Sequence, residues 1–184
     1  MINISRESEI NLINILIDQD IISGKDLINI KKISTEGQKS QLDAVFELNL
    51  TDENKILDLL VKEQSLNVVD LSSLSVADEI KSVLPSNYIN MNFIAPFKIE
   101  NKVLHIAIPD SSKLSLMRNL KTITKMEPEL YAATISDIND FIERMSRQDS
   151  KKISSSTVKV EKIEKNKDEL IEVGSEVISF GNNL

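Results

Sequence analysis

One stretch forces a β-sheet on this chain. Residues 93–110 read FIAPFKIENKVLHIAIPD. Within it, residues 93–99 and 103–108 are short runs rich in Ile, Val and Phe, parted by a polar turn at Glu100 and Asn101. Such residues suit a pleated surface with alternating faces, so the pattern predicts a hairpin. Pro96 has no backbone N–H to give a neighbour, which puts its strand at a sheet edge or places a bulge there. The hairpin closes on Pro109 and Asp110. An Asp ahead of a helical run acts as an N-cap, because its carboxylate accepts from the first free backbone N–H groups. Leu114, Met117 and Leu120 supply the helical spacing that follows.

The neighbouring segments alternate in the same way. NVVDL, residues 67–71, reads as a short strand. SVADEIKSVL, residues 75–84, reads as a helix started by Ser75 and stopped at Pro85. PELYAA, residues 128–133, is another strand. Thr134 and Asp137 open a last helix carrying Ile138, Phe141, Ile142 and Met145. Residues 67–146 are therefore expected to form a small α/β sandwich with a three- to four-stranded sheet.

Ahead of it, residues 1–66 keep a helical period. Ile10, Ile13, Leu16 and Ile17 share one face. Ser23 and Asp26 have capping-box spacing before Leu27, Ile30 and Ile33. A third helix carries Leu42, Val45, Phe46 and Leu48. Thr51 is expected to cap a fourth, with Asp52 and Glu53 in its first turn and Ile56, Leu59 and Leu60 on its apolar face. A faint repeat runs through this part. Leu16, Ile17, Asp20, Ile21, Leu27 and Ile30 map onto Val45, Phe46, Asn49, Leu50, Ile56 and Leu59 at one constant offset. Each unit is a helix, a tight corner at Asp20 or Asn49, and a second helix. Asp and Asn are the non-glycine residues that best tolerate positive φ at such corners. Residues 147–169 are Ser- and Lys-rich and read as a flexible linker. Residues 170–184 carry Leu170, Val173, Val177 and Leu184 at helical spacing, a tail helix weakened by Gly174 and Gly181. The fold class is α+β: a helical subdomain, the small sandwich, a linker and a tail helix.

Composition narrows the function. The chain has 184 residues, no Cys, one His and a formal net charge of −7. The charge argues against nucleic acid as a partner, and the missing cysteines remove disulfides, thiolates and cysteine metal sites. No run approaches the roughly 20 apolar residues of a membrane span, and the N-terminus has no secretory signal, so a cytoplasmic protein without membrane insertion is expected. The glycines are Gly24, Gly37, Gly174 and Gly181, and none opens a phosphate-binding loop, so no ATP hydrolysis is expected. His105 lies mid-strand with no second His for a metal pair and reads as an accessory strand residue. Asp110 reads as a cap before it reads as a base. Asp137 and Asp140, three apart on one helix, read as a cap and a solvated face. Lys151 and Lys152 read as linker charges. No nucleophile, base and oxyanion donor come together, so no catalytic, cofactor-binding or metal residue is assigned and no cofactor is expected.

The order of elements resembles the N-terminal domain of the type II secretion and type IV pilus assembly ATPases, the GspE/PilB family with its MshEN module. The resemblance spans roughly residues 12–145. It is carried by LNLTDENKILDLLVKEQSLNVVDL, residues 48–71, and VLPSNYINMNFIAPFKIENKVLHIAIPD, residues 83–110. Val69, Asp70, Leu71, Leu84, Pro85, Pro96, Ala107 and Asp110 match its pattern. The resemblance implies a non-catalytic docking domain. It would hold a hexameric motor to the cytoplasmic part of an inner-membrane platform protein, peripheral to that membrane, with the ATPase core in cis or in trans. The tail resembles the entry to that core. In some relatives the helical half binds cyclic di-GMP through two units that begin Arg-Leu-Gly and run to a corner Gly. Here the first unit reads Asn11, Leu12, Ile13 with Asp20 at its corner, and the second Ser40, Gln41, Leu42 with Asn49. Both Arg and all four Gly positions are replaced, so no cyclic di-GMP binding is expected.

Overall fold

The structure is a computed structural model that describes residues 4–154, with side chains as far as residue 147. Four helices come first: α1 (Arg6–Asp18), α2 (Gly24–Gly37), α3 (Gln41–Glu47) and α4 (Glu53–Gln64). Each start is capped by a side chain. Ser5 accepts from Ser8, Ser23 and Ser40 form capping boxes with Asp26 and Asp43, and Asp52 accepts from the Lys55 N–H. The cap of α4 is thus Asp52, not Thr51. Thr51 lies buried one residue earlier, and its hydroxyl has no hydrogen-bond partner among the described residues. An aspartate set at the cap position outcompetes a threonine one step outside it.

The repeat is present in the backbone. Asp20 and Asn49 have φ of 56° and 52°. The Asp20 N–H donates to Ile17 O and the Asn49 N–H to Phe46 O, both at 3.0 Å. The Ile21 and Leu50 N–H groups then reach back to Leu16 O and Val45 O. Two units of different sequence make the same corner with the same bonds.

The sheet has four strands in the order β1-β4-β3-β2: β1 (Asn67–Val68), β2 (Ala95–Glu100), β3 (Val103–Ile108) and β4 (Glu127–Ala132). β2 and β3 are the antiparallel hairpin, while β4 runs parallel to both β3 and β1. Pro96 stands on the edge strand, and the register slips between Pro96 and Lys98. Both alternatives read from the proline hold at once. The turn sits one residue later than its sequence suggests. Glu100 still pairs with Val103, and Asn101 and Lys102 turn the chain, both at positive φ.

Four further expectations are corrected. Of residues 67–71 only two form the strand, although the Val69 N–H still reaches Ala132 O. The helix expected from Ser75 is α5 (Asp78–Val83), preceded by Ala77 with no side-chain cap, because Val76 and Ala77 stay outside it. Pro85 ends α5 and also starts α6 (Ser86–Asn92), as fits a residue whose fixed φ suits a helix entrance. After Asp110 come six residues of 3-10 helix, Ser111–Leu116, before α7 (Met117–Thr124). Finally, α8 runs over Ile135–Ser154 and so takes in the start of the expected linker; residues 155–184, including the tail helix, lie outside the described residues. One buried apolar cluster joins Leu12, Leu16 and Val45 of the helical part to Leu104, Ile106 and Ile108 of the sheet and Ile138 and Phe141 of α8.

Candidate functional site

The strand histidine is not isolated. Register puts His105 opposite Glu129 and Ala107 opposite Tyr131, so all four occupy one sheet face. His105 Nδ1 lies 3.2 Å from the Tyr131 hydroxyl and 3.6 Å from a Glu129 oxygen, and the hydroxyl donates to Glu129 at 2.8 Å. Phe97, displaced by the bulge, packs edge-on to Tyr131 at 5.2 Å and tilted to His105 at 6.0 Å. The bond to Glu129 raises the Tyr131 pKa, with lesser help from burial. A phenol held protonated against a carboxylate is a structural bridge, not an acid poised for transfer.

Asp110 faces elsewhere. It is fully buried, accepts from the Asn11 side chain at 2.9 Å and from the Ser112 N–H at 2.9 Å, and leaves its second oxygen without a partner among the described residues. His105 bonds into β4 and Asp110 into α1 and the 3-10 helix, so the two share no partner. The sequence reading of Asp110 as a cap holds. Its link to Asn11 had no signal in the sequence, since the residues stand about a hundred positions apart. Asn11 also reaches Ser111, and Lys113, buried to 1% exposure, spans back to Ser5 and Glu7. These bonds pin α1 to the 3-10 helix. On the other side, both oxygens of Glu53 receive the N–H and hydroxyl of Ser136 and so tie α4 to the start of α8.

Two open grooves stand out among the described residues. The larger, about 370 Å³, lies along α8 and is lined by Asp137, Asp140, Glu143, Arg144, Arg147 and Ser72. The expected cap and solvated-face residues stand here, although the hydroxyl that caps Asp137 N–H belongs to Thr134. Arg144 donates to Leu71 O and Leu74 O and lies 5.0 Å over the Phe141 ring, so its charge is spent on holding the 71–74 loop. The second groove, about 260 Å³, lies between α1 and α2 and is mostly aliphatic. Among the described residues no cluster of three His, Asp or Glu could hold a metal ion, and no helix is long and apolar enough to cross a membrane.

Surfaces and scaffold are what the described residues offer. The family model of the MshEN domain matches residues 64–152, from the end of α4 through the whole sheet and most of α8. This span is similar to the MshEN domain. The resemblance read from the order of elements and from residues 48–71 and 83–110 is borne out. Type IV pilus assembly ATPase PilB of Myxococcus xanthus (strain DK1622) is 24% identical over 133 residues, which cover 71% of this chain and 23% of PilB. The chain thus spans about a quarter of that relative's length. A solved structure of MshE with cdg has the same fold at a TM-score of 0.51 and 21% identity, covering 73% of this chain and 97% of that one. The N-terminal domain of XpsE matches at a TM-score of 0.52 and 18% identity, covering 74% and 94%. The matched span follows the helical part and shares one buried core with it.

Proposed function

We propose that this chain is the non-catalytic docking region of a type II secretion or type IV pilus assembly ATPase. It holds the motor to the cytoplasmic part of an inner-membrane platform protein and works in the cytoplasm, at that membrane through its partner. The observation that carries this is the match to the MshEN domain, in the setting of a pilus ATPase relative. Support comes from the site: polar residues are committed to scaffold bonds, and what stays free is groove and helix surface. Catalysis belongs to an ATPase core in cis or in trans, and no cofactor or catalytic residue is assigned to this chain. The test is a pull-down of the cytoplasmic domains of platform proteins from both systems. Retention of one supports the reading; retention of none overturns it.

A second reading follows from MshE, solved with cdg. Under it the helical repeat would bind cyclic di-GMP. The residues weigh against it. Asn11 is bonded to Asp110 and Ser111, Ser40 is spent on a capping box, and Ile13 and Leu42 put side chains where Gly would leave room for a ligand. Calorimetric titration with cyclic di-GMP is expected to give no heat of binding, and micromolar affinity would favour this second reading.

A further inference from the structure

We propose that α7 and the turn between β2 and β3 form a basic face that rests on the anionic phospholipid headgroups of a membrane, without spanning it. This rests on the docking role proposed above and says which side of the docked chain turns to the lipid. Residues 111–126 hold the cations Lys113, Arg118, Lys121 and Lys125 and no carboxylate, on a chain of net charge −7. Lys113 is buried against Glu7 and plays no part. The other three are exposed. Arg118 and Lys121 stand three apart on one face of α7, and Lys125 follows at its C-cap. Lys102, exposed in the hairpin turn, joins them, because its carbonyl accepts the N–H of Glu127, two residues beyond Lys125.

Helix stability explains only part of this pattern. Cations at the end of a helix meet the negative pole of its dipole, which suits Lys121 and Lys125. Arg118 sits in the first turn, where a cation is unfavourable, and its guanidinium has no hydrogen bond or ion pair among the described residues. The exposed acids on the neighbouring strands are Glu127, paired with Lys121, Glu100, paired with Lys98, and Glu129, which accepts from Tyr131. With these three and Lys98 counted, the exposed cations still lead by five to three. Each unit of charge beside an anionic bilayer is worth roughly fivefold in binding, so this excess gives roughly twentyfold. Such a contact orients a chain that a protein partner already holds. The acidic rest of the chain sharpens the orientation, because any other side is repelled. The shape favours lipid over other anions. The cations stand on an outward helix face and a turn, and neither groove described above is lined by them, so a partner helix finds no trough here. Residues 111–126 hold no aromatic ring on which a nucleic-acid base could stack. A plane of phosphate headgroups needs only exposed charge. Met117, 37% exposed and one turn before Lys121, stands at the same level.

The test is co-sedimentation of the full chain with phosphatidylglycerol vesicles and with neutral phosphatidylcholine vesicles at low salt. Binding to the anionic vesicles is expected to be roughly tenfold or more the stronger, and to fade as salt is added. Arg118→Glu with Lys125→Glu, both at exposed positions, is expected to abolish the preference with unchanged melting temperature. Lys31→Glu with Lys32→Glu, the same charge change on the exposed side of α2, is expected to keep it. The full chain has no Trp, so a single one reports which side meets the bilayer. The emission of Met117→Trp is expected to shift to the blue on the anionic vesicles, and that of Ile28→Trp, on α2, to stay unchanged. Equal binding to both vesicles, the same loss in both charge pairs, a shift at Ile28→Trp alone, or tighter binding of a poly-Glu peptide than of the vesicles overturns the proposal. The platform pull-down separates the two ideas. If a platform domain is retained while the anionic vesicles are not preferred, the docking role stands and the lipid face is wrong. If the vesicles bind as expected while no platform domain is retained, the lipid face stands and the motor-docking role falls.

Discussion

Buried polar residues in this chain act as fasteners, and each has a measurable worth. Asp110→Ala removes the acceptor for Asn11 and for the Ser112 N–H, inside a site with no access to water. It is expected to cost about 1–3 kcal/mol in denaturant unfolding, and a double-mutant cycle with Asn11→Ala should show coupling between the two. Lys113 makes a different case. Its stem is packed and its ammonium bonds to Ser5 and to the exposed Glu7. Lys113→Met keeps the stem and is expected to cost less than Lys113→Ala, which opens a cavity as well. Three aspartates in local hydrogen bonds carry a pH dependence. Asp26 is held below the ordinary aspartate range chiefly by the Ser23 hydroxyl, Asp52 by the Lys55 N–H, and Asp70 by the Ser72 hydroxyl. A lower pKa in the folded state gives stability that is present above the unfolded value and lost as pH falls through the folded one. The melting temperature is therefore expected to drop on acidification below about pH 4. Changing all three to Asn should make that drop shallower.

Elements differ in how legible they were, and the reason is the range of the forces that shape them. The hairpin, the capping boxes at Ser23 and the helical corners at Asp20 and Asn49 are set by neighbours within five residues, and the sequence shows them. The missed or shifted elements depend on distant partners. β1 shrinks to two residues because only Asn67 and Val68 find places beside Tyr131 and Ala132. His105 looked partnerless because Tyr131 and Glu129 reach it only through strand register. Asn11 meets Asp110 only through the tertiary fold, 99 positions along the chain. Turn chemistry offers a test at this scale. Asn101 and Lys102 have φ of 50° and 64°, the pair of positive values that favours Asn followed by Gly. Lys102→Gly is expected to stabilise the chain by about 1 kcal/mol, a rise of about 2–4 °C in melting temperature.

For the whole molecule the decisive fact is the continuous core. The division at residues 66 and 67, natural from the change in period, separates two patterns of side chains but not two packing units. Leu12 and Ile108 belong to one cluster. Truncating the sheet should therefore loosen the helices. Ile108→Ala is expected to cost about 2–5 kcal/mol and to lower amide-exchange protection in α1–α4 along with β3, within a single unfolding transition. Loss of protection confined to the sheet would show instead that the helical part folds alone.

Pro96 and the bulge after it have a consequence for crowding. An open sheet ends in rows of unpaired N–H and C=O groups onto which a second copy can add a strand. This sheet offers little to add to. One end is a strand of two residues, and the other carries a proline without an N–H and a break in register. Such growth is most harmful where copies stand at high local concentration. This sheet can be crowded without becoming a template for fibres.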